Sequence, residues 1–162
     1  HPAALDALLA WAGLEASGQF RFTPPNLSLM AFRQAMKELE EEGGIPAREQ
    51  RYKTNKQTLD EGMKALGFKQ YLRPEIQGHI ISSFLYPSDP AFNFELFYEK
   101  LNKRGFVIYP GKLSKANAFR IGNIGQIFPE DVKALLVAIE EVLKEDAANL
   151  LGLPRCDDAG QT

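Results

Sequence analysis

Three short apolar runs, each cut off by a proline or a glycine, limit any fold this chain can adopt. Ile80, Ile81, Phe84, Leu85 and Tyr86 cluster before Pro87; Phe106, Val107, Ile108 and Tyr109 stop at Pro110 and Gly111; Phe119, Arg120 and Ile121 stop at Gly122. Runs this short, bounded by residues that break regular structure, read as strands. Three strands cannot bury themselves, so helices must cover at least one face of the sheet they form. The first run reads as a strand buried mostly on both faces. The third alternates, which points Phe119 and Ile121 one way into a core and Arg120 the other.

Arg120 is the first residue here with chemical content. A guanidinium is a planar fork of donors, suited to a two-point grip on a carboxylate or phosphonate. Gly122 and Gly125 leave space for another backbone or a ligand to come close. Taken alone, the residue reads equally as a solvated strand-end arginine or one paired with a local carboxylate, an arrangement of small net value.

Helical periodicity fills the remainder. Leu5, Leu8, Leu9, Ala12 and Ala16 recur at helical spacing until Gly18, predicting a short amphipathic helix over 2–16. Phe20, Arg21, Phe22, Thr23, Pro24 and Pro25 follow, and the two prolines force an extended approach that holds Thr23 stiffly. A hydroxyl displayed at the mouth of a helix suits a phosphate contact. A threonine packing its methyl group in a loop is the competing reading. Leu29, Phe32, Ala35, Met36 and Leu39 share one face of a second helix stopped by Gly43 and Gly44, and its acidic end (Glu38 and 40–42) reads as solvated surface.

Ile45 and Pro46 open a third helix with Tyr52, Leu59, Met63 and Leu66 inward and Gly67 as its stop. Its basic flank, Arg48, Arg51, Lys53 and Lys56, reads as a solvated face. Asn93 is placed to cap a helix carrying Phe94, Phe97, Tyr98 and Leu101, ended by Gly105. A last helix starts at Pro129, with Glu130 and Asp131 where the helix dipole favours them, and runs Val132, Leu135, Leu136, Ile139, Val142 and Leu143 along one stripe. Beyond Leu153 and Pro154 the polar tail is expected to be disordered. The sum is an α+β unit, helices followed by β-α-β-β-α, with about three strands covered on one face.

Composition narrows the classes. With 162 residues, 44% of them hydrophobic, the chain can build one real core. A formal charge of −2 and a pI near 5.8, without a block of like charge, argue against nucleic acid as a partner. No apolar run approaches the roughly 20 residues a membrane span needs, and no signal peptide opens the chain. The single cysteine, Cys156, excludes an intramolecular disulfide framework and fits a reducing, cytoplasmic setting. His1, His79 and Cys156 lack zinc-ligand spacing, so no metal is expected and His79 reads as a strand-edge residue. A chain opening on His1 and Pro2 suggests that it was cut or trimmed.

Five motifs in order resemble one family. They are Phe20-Arg21-Phe22-Thr23-Pro24-Pro25, Glu42-Gly43-Gly44-Ile45, Ser82-Ser83-Phe84-Leu85-Tyr86-Pro87, Gly105-Phe106-Val107-Ile108-Tyr109-Pro110-Gly111-Lys112-Leu113 and Phe119-Arg120-Ile121-Gly122-Asn123-Ile124-Gly125. From Trp11 to about Leu143 the chain is similar to the 2-aminoethylphosphonate:pyruvate aminotransferases, class V members of the fold-type-I enzymes that use pyridoxal 5'-phosphate. The resemblance implies amino transfer from 2-aminoethylphosphonate to pyruvate in phosphonate catabolism, by a homodimer. It implies that Arg120 grips the substrate's acidic group and that Thr23 reaches across the dimer interface to the cofactor phosphate of the neighbouring subunit. It also implies that the Schiff-base lysine, the aspartate on the pyridine nitrogen and the ring stacked on the cofactor lie in a larger domain before His1.

Lys112 lies near a glycine turn but does not match the cofactor lysine, so no catalytic residue is expected in this chain and it should not transaminate alone. The expected organisation is a helix and FTPP segment over 1–26 linking to that larger domain, a small C-terminal α+β domain over 27–153, and a tail over 154–162. Apolar surface should then be left uncovered on the sheet and the first helix. Alanine-glyoxylate or serine-pyruvate aminotransferases share the arginine, but the FTPP and YPGKL motifs favour the phosphonate enzymes. A cysteine desulfurase is disfavoured because Cys156 lies in the tail. A non-catalytic anion-binding or dimerisation module is the reading from a different class.

Overall fold

The computed structural model describes residues 2–90, 92–111 and 116–150 and divides the chain into two compact units, His1–Ile45 and Pro46–Thr162. His1, Lys112, Cys156 and the tail 154–162 lie outside the described residues.

The first unit contains α1 (Pro2–Ser17) and α2 (Asn26–Glu42), joined by the Phe20 to Pro25 segment. Both helices sit where the periodicity puts them, but α1 does not carry a single apolar stripe. Leu5, Leu8, Leu9, Trp11 and Leu14, with alanines between them, spread apolar surface around the helix, interrupted mainly by Asp6, Glu15 and Ser17. Leu8 is 60% exposed and Trp11 62%. No residue of α2 is buried either, although Leu29, Phe32 and Met36 do share its apolar side. Gly43 ends α2 with φ +108° and its amide donates to the Leu39 and Glu40 carbonyls, a left-handed cap that disfavours any side chain.

The second unit is built on α3 (Gly44–Ala65), β1 (Ile81–Leu85), α4 (Phe94–Lys103), β2 (Tyr109–Pro110), β3 (Ala118–Gly122) and α5 (Pro129–Leu150). The three strands form one antiparallel sheet in the order β1-β3-β2. Phe84 faces Phe119 and Ser83 faces Arg120 across one pairing; Tyr109 faces Arg120 across the other. β3, last in sequence, is therefore the central strand. The outer edge of β1 is closed by the chain before it, with the Tyr71 amide on the Ser83 carbonyl at 2.9 Å and the Leu85 amide on the Lys69 carbonyl at 2.8 Å.

Two strand expectations change. β1 is buried on alternate residues, Ser82 and Phe84 inward and Ile81 43% exposed, because the described helices of the second unit cover one face of the sheet. The second strand is shorter and later than the run 106–109. The Phe106 amide donates to the Leu101 carbonyl at 3.0 Å, so the start of that run finishes α4 before the chain reaches the sheet.

The core lies between that covered face and the helices. Leu59 and Met63 of α3, Phe97 and Leu101 of α4, and Ile139 and Val142 of α5 are fully buried with Phe84 and Phe119. Phe119 sits at its centre, with the rings of Phe68, Phe84 and Phe97 at 5.5, 5.9 and 5.7 Å. Asn93 caps α4 as its position implies, its Oδ1 accepting from the Leu96 amide at 3.1 Å. Among the described residues no helix is long and apolar enough to cross a membrane.

Candidate functional site

Alternation along β3 follows from its sequence. Phe119 and Ile121 are buried, so Arg120 between them must stand on the sheet's open face. That face also carries Ser83 and Ile81 of β1 and Tyr109 of β2, by register. The Arg120 guanidinium is half-buried. Its Nη2 donates to the Pro110 carbonyl over 3.4 Å, near the limit of a hydrogen bond, and its Nε is buried with no partner. No acidic side chain among the described residues pairs with it. An unmet buried donor costs about 1–3 kcal/mol, which an anion reaching Nε would recover.

The loop after β3 is held from α3. Arg51 donates from Nη1 to the Gly125 and Ile127 carbonyls, both at 2.8 Å, while its guanidinium lies 5.0 Å from the ring centres of Tyr52 and Phe128. Asn55, fully buried, donates to the same Ile127 carbonyl at 2.7 Å. The Tyr52 hydroxyl accepts from the Gly125 amide at 3.2 Å, and the buried Asn123 donates from Nδ2 to the carbonyls of His79, at 2.9 Å, and Tyr52. Gly125 turns this loop at φ +91°, where a side chain would be strained.

The basic flank of α3 is thus not a purely solvated face. Arg51 is a buttress, Lys56 pairs with Asp60, and Lys53 hydrogen-bonds Glu49 at 2.7 Å, holding that carboxyl below the usual carboxylate range. Sequence reasoning missed Arg51 and Asn55 because their partners are main-chain carbonyls more than seventy positions away. The polar Asn55 within an inward-facing stretch was the one available signal.

Gly122 needs no special conformation. A side chain there would meet only the Ile80 carbonyl, at 3.9 Å, so its effect is to leave the open face flat beside Arg120. Thr23 belongs to the first unit, exposed on the irregular segment just before α2, and its hydroxyl has no hydrogen bond among the described residues. Arg120 belongs to the second unit. His79 is exposed and contributes its carbonyl rather than its ring. Among the described residues no group of histidine, cysteine, aspartate and glutamate side chains could hold a metal ion.

A small three-stranded sheet covered by helices on one face matches the C-terminal portion of fold-type-I aminotransferases. The crystal structure of ureidoglycine-glyoxylate aminotransferase from Bacillus subtilis matches with a TM-score of 0.68 and 23% identity, covering 80% of this chain and 33% of that one. Alanine-glyoxylate aminotransferase from Nostoc sp. matches with a TM-score of 0.69 and 23% identity, covering 77% and 33%. By sequence the chain is similar to curated proteins named 2-aminoethylphosphonate-pyruvate transaminase. It is 52% identical over 141 residues to the protein of that name from Phocaeicola vulgatus, an alignment covering 86% of this chain. The chain spans 39% of the length of that relative. No family model matches it.

Proposed function

We propose that this chain supplies the substrate-gripping part of a pyridoxal-phosphate-dependent transaminase that moves the amino group of 2-aminoethylphosphonate to pyruvate. The observation that carries this reading is Arg120, a half-buried guanidinium on the uncovered side of the second unit's sheet, whose Nε has no partner and which no carboxylate neutralises among the described residues. In this role Arg120 binds and orients the acidic group of the substrate, leaving the amino end free to reach the cofactor. The cofactor, when bound, supplies an electron sink for amino transfer. Toward it this chain offers Thr23, whose exposed hydroxyl has no competing hydrogen bond among the described residues and suits a phosphate oxygen. The assembly that uses Thr23 is a homodimer, and the lysine that carries the cofactor is contributed by the part of the relatives' length that this chain does not match.

Identity of about 50% to phosphonate transaminases favours that substrate over the alanine-glyoxylate type, to which the likeness is one of fold. The test is a chimera joining this chain to the remaining part of the Phocaeicola vulgatus relative, assayed for alanine formed from pyruvate and 2-aminoethylphosphonate. Arg120→Lys keeps the charge but loses the fork, and should lower kcat/KM by about 5- to 150-fold, equivalent to about 1–3 kcal/mol. An unchanged kcat/KM would remove Arg120 from the site.

A further inference from the structure

The register of the sheet puts a second donor beside Arg120. Tyr109 is its direct partner across the β2-β3 pairing, so the two side chains rise from the same face with Cβ atoms about 4.5–5.5 Å apart. Tyr109 is 57% exposed, and its hydroxyl carries no hydrogen bond among the described residues. Arg120 leans toward this side of the sheet, since its Nη2 reaches the carbonyl of Pro110, the residue after Tyr109. From that position a tyrosine side chain is long enough to bring its hydroxyl to an anion held at the Arg120 guanidinium. Ser83 faces Arg120 from the other side, but its side chain is much shorter than a tyrosine's and reaches less far from the strand.

A carboxylate presents two oxygens in one plane, and a guanidinium fork satisfies both. A phosphonate presents three oxygens on a tetrahedral centre. The fork can take two of them, and the third points out of its plane, where an additional donor is needed. We propose that Tyr109 is that donor, a specificity-determining residue that makes the Arg120 site prefer a three-oxygen anion of the phosphonate class over a carboxylate. This rests on the reading of Arg120 as an anion grip.

The experiment titrates the isotope-labelled chain with methylphosphonate and, separately, with acetate, following the Arg120 Nε–H and Tyr109 ring signals by NMR. The wild-type chain should bind methylphosphonate more tightly than acetate. Tyr109→Phe should weaken methylphosphonate by about 3- to 10-fold, as expected for one hydrogen bond to a charged group, and leave acetate within about twofold. Ser83→Ala should change neither. Arg120→Met should abolish both.

Equal weakening of the two anions by Tyr109→Phe, no change at all, or a preference lost through Ser83→Ala instead would overturn the assignment of Tyr109 while leaving the Arg120 grip in place. Binding that survives Arg120→Met, or no binding of either anion to the wild-type chain, would overturn the grip itself and this inference with it.

Discussion

Removing Arg51 and Asn55, singly and together, tests whether the two side chains hold the loop behind β3 through one shared carbonyl. Arg51→Met keeps an unbranched apolar side chain, but two charged hydrogen bonds of 2.8 Å and two guanidinium–ring contacts at 5.0 Å are lost. The Ile127 carbonyl keeps Asn55, and solvent reaches part of the site, so the expected cost is about 2–3 kcal/mol. Asn55→Ala removes a 2.7 Å bond but also a buried Oδ1 that has no partner, and Arg51 still serves the carbonyl, so the cost is about 1 kcal/mol. In the double variant the Ile127 carbonyl loses both donors. Its unmet desolvation adds about 1–2 kcal/mol beyond the sum, for a total of about 4–6 kcal/mol.

Native-state hydrogen exchange of the β3 amides is the appropriate assay, because it reads the second unit directly, whereas the sole tryptophan, Trp11, reports on the first. The Gly125 amide, bonded to the Tyr52 hydroxyl, gives a local readout of the loop. Additivity of the two substitutions within about 0.5 kcal/mol would refute the shared-carbonyl argument.

Other perturbations follow from the same packing. Phe119→Ala should cost about 3–5 kcal/mol by urea unfolding monitored on β3, since it empties the centre of the aromatic core; a loss under 1 kcal/mol would mean the site collapses freely. Gly111→Ala would place a Cβ 2.5 Å from the Ala118 carbonyl, to which the Gly111 amide also donates at 2.8 Å. The β2-β3 pairing should loosen, read as faster exchange at that amide and weaker anion binding by Arg120. Burial, and then the charge of Glu95, push the Tyr86 phenol above its ordinary value of 10.0. The folded form therefore resists ionisation: its stability is fully present below about pH 10 and falls as pH rises from there through the raised folded value. Tyr86→Phe should flatten that alkaline limb of the stability profile, and a profile identical to wild type would exclude Tyr86 as its source.

Much of this molecule was legible because the relevant signals are local. Helix periodicity, the Asn93 cap, the glycine stops and the Phe119-Arg120-Ile121 alternation each act within a turn or a strand, and they located five helices, the third strand and the outward arginine. The same locality explains the errors. A run of apolar residues such as 80–86 does not reveal whether one or both faces of its sheet will be covered. Phe106 could not be assigned to the end of α4 without knowing where the Leu101 carbonyl lies. The apolar surface spread around α1 was present in its composition, yet picking out the residues at helical spacing gave the appearance of a stripe.

Sequence alone determined which residues can form strands and helices, that Arg120 faces away from the core, and which family the motifs resemble, because each of these depends on residue type and order. Tertiary structure decided the rest: that β3 is the middle strand, that Tyr109 is the neighbour of Arg120, and that Arg51 and Asn55 of α3 hold the loop behind it. These are pairings between segments far apart in the chain, fixed by strand register and by which main-chain carbonyls are left needing donors once the core has packed.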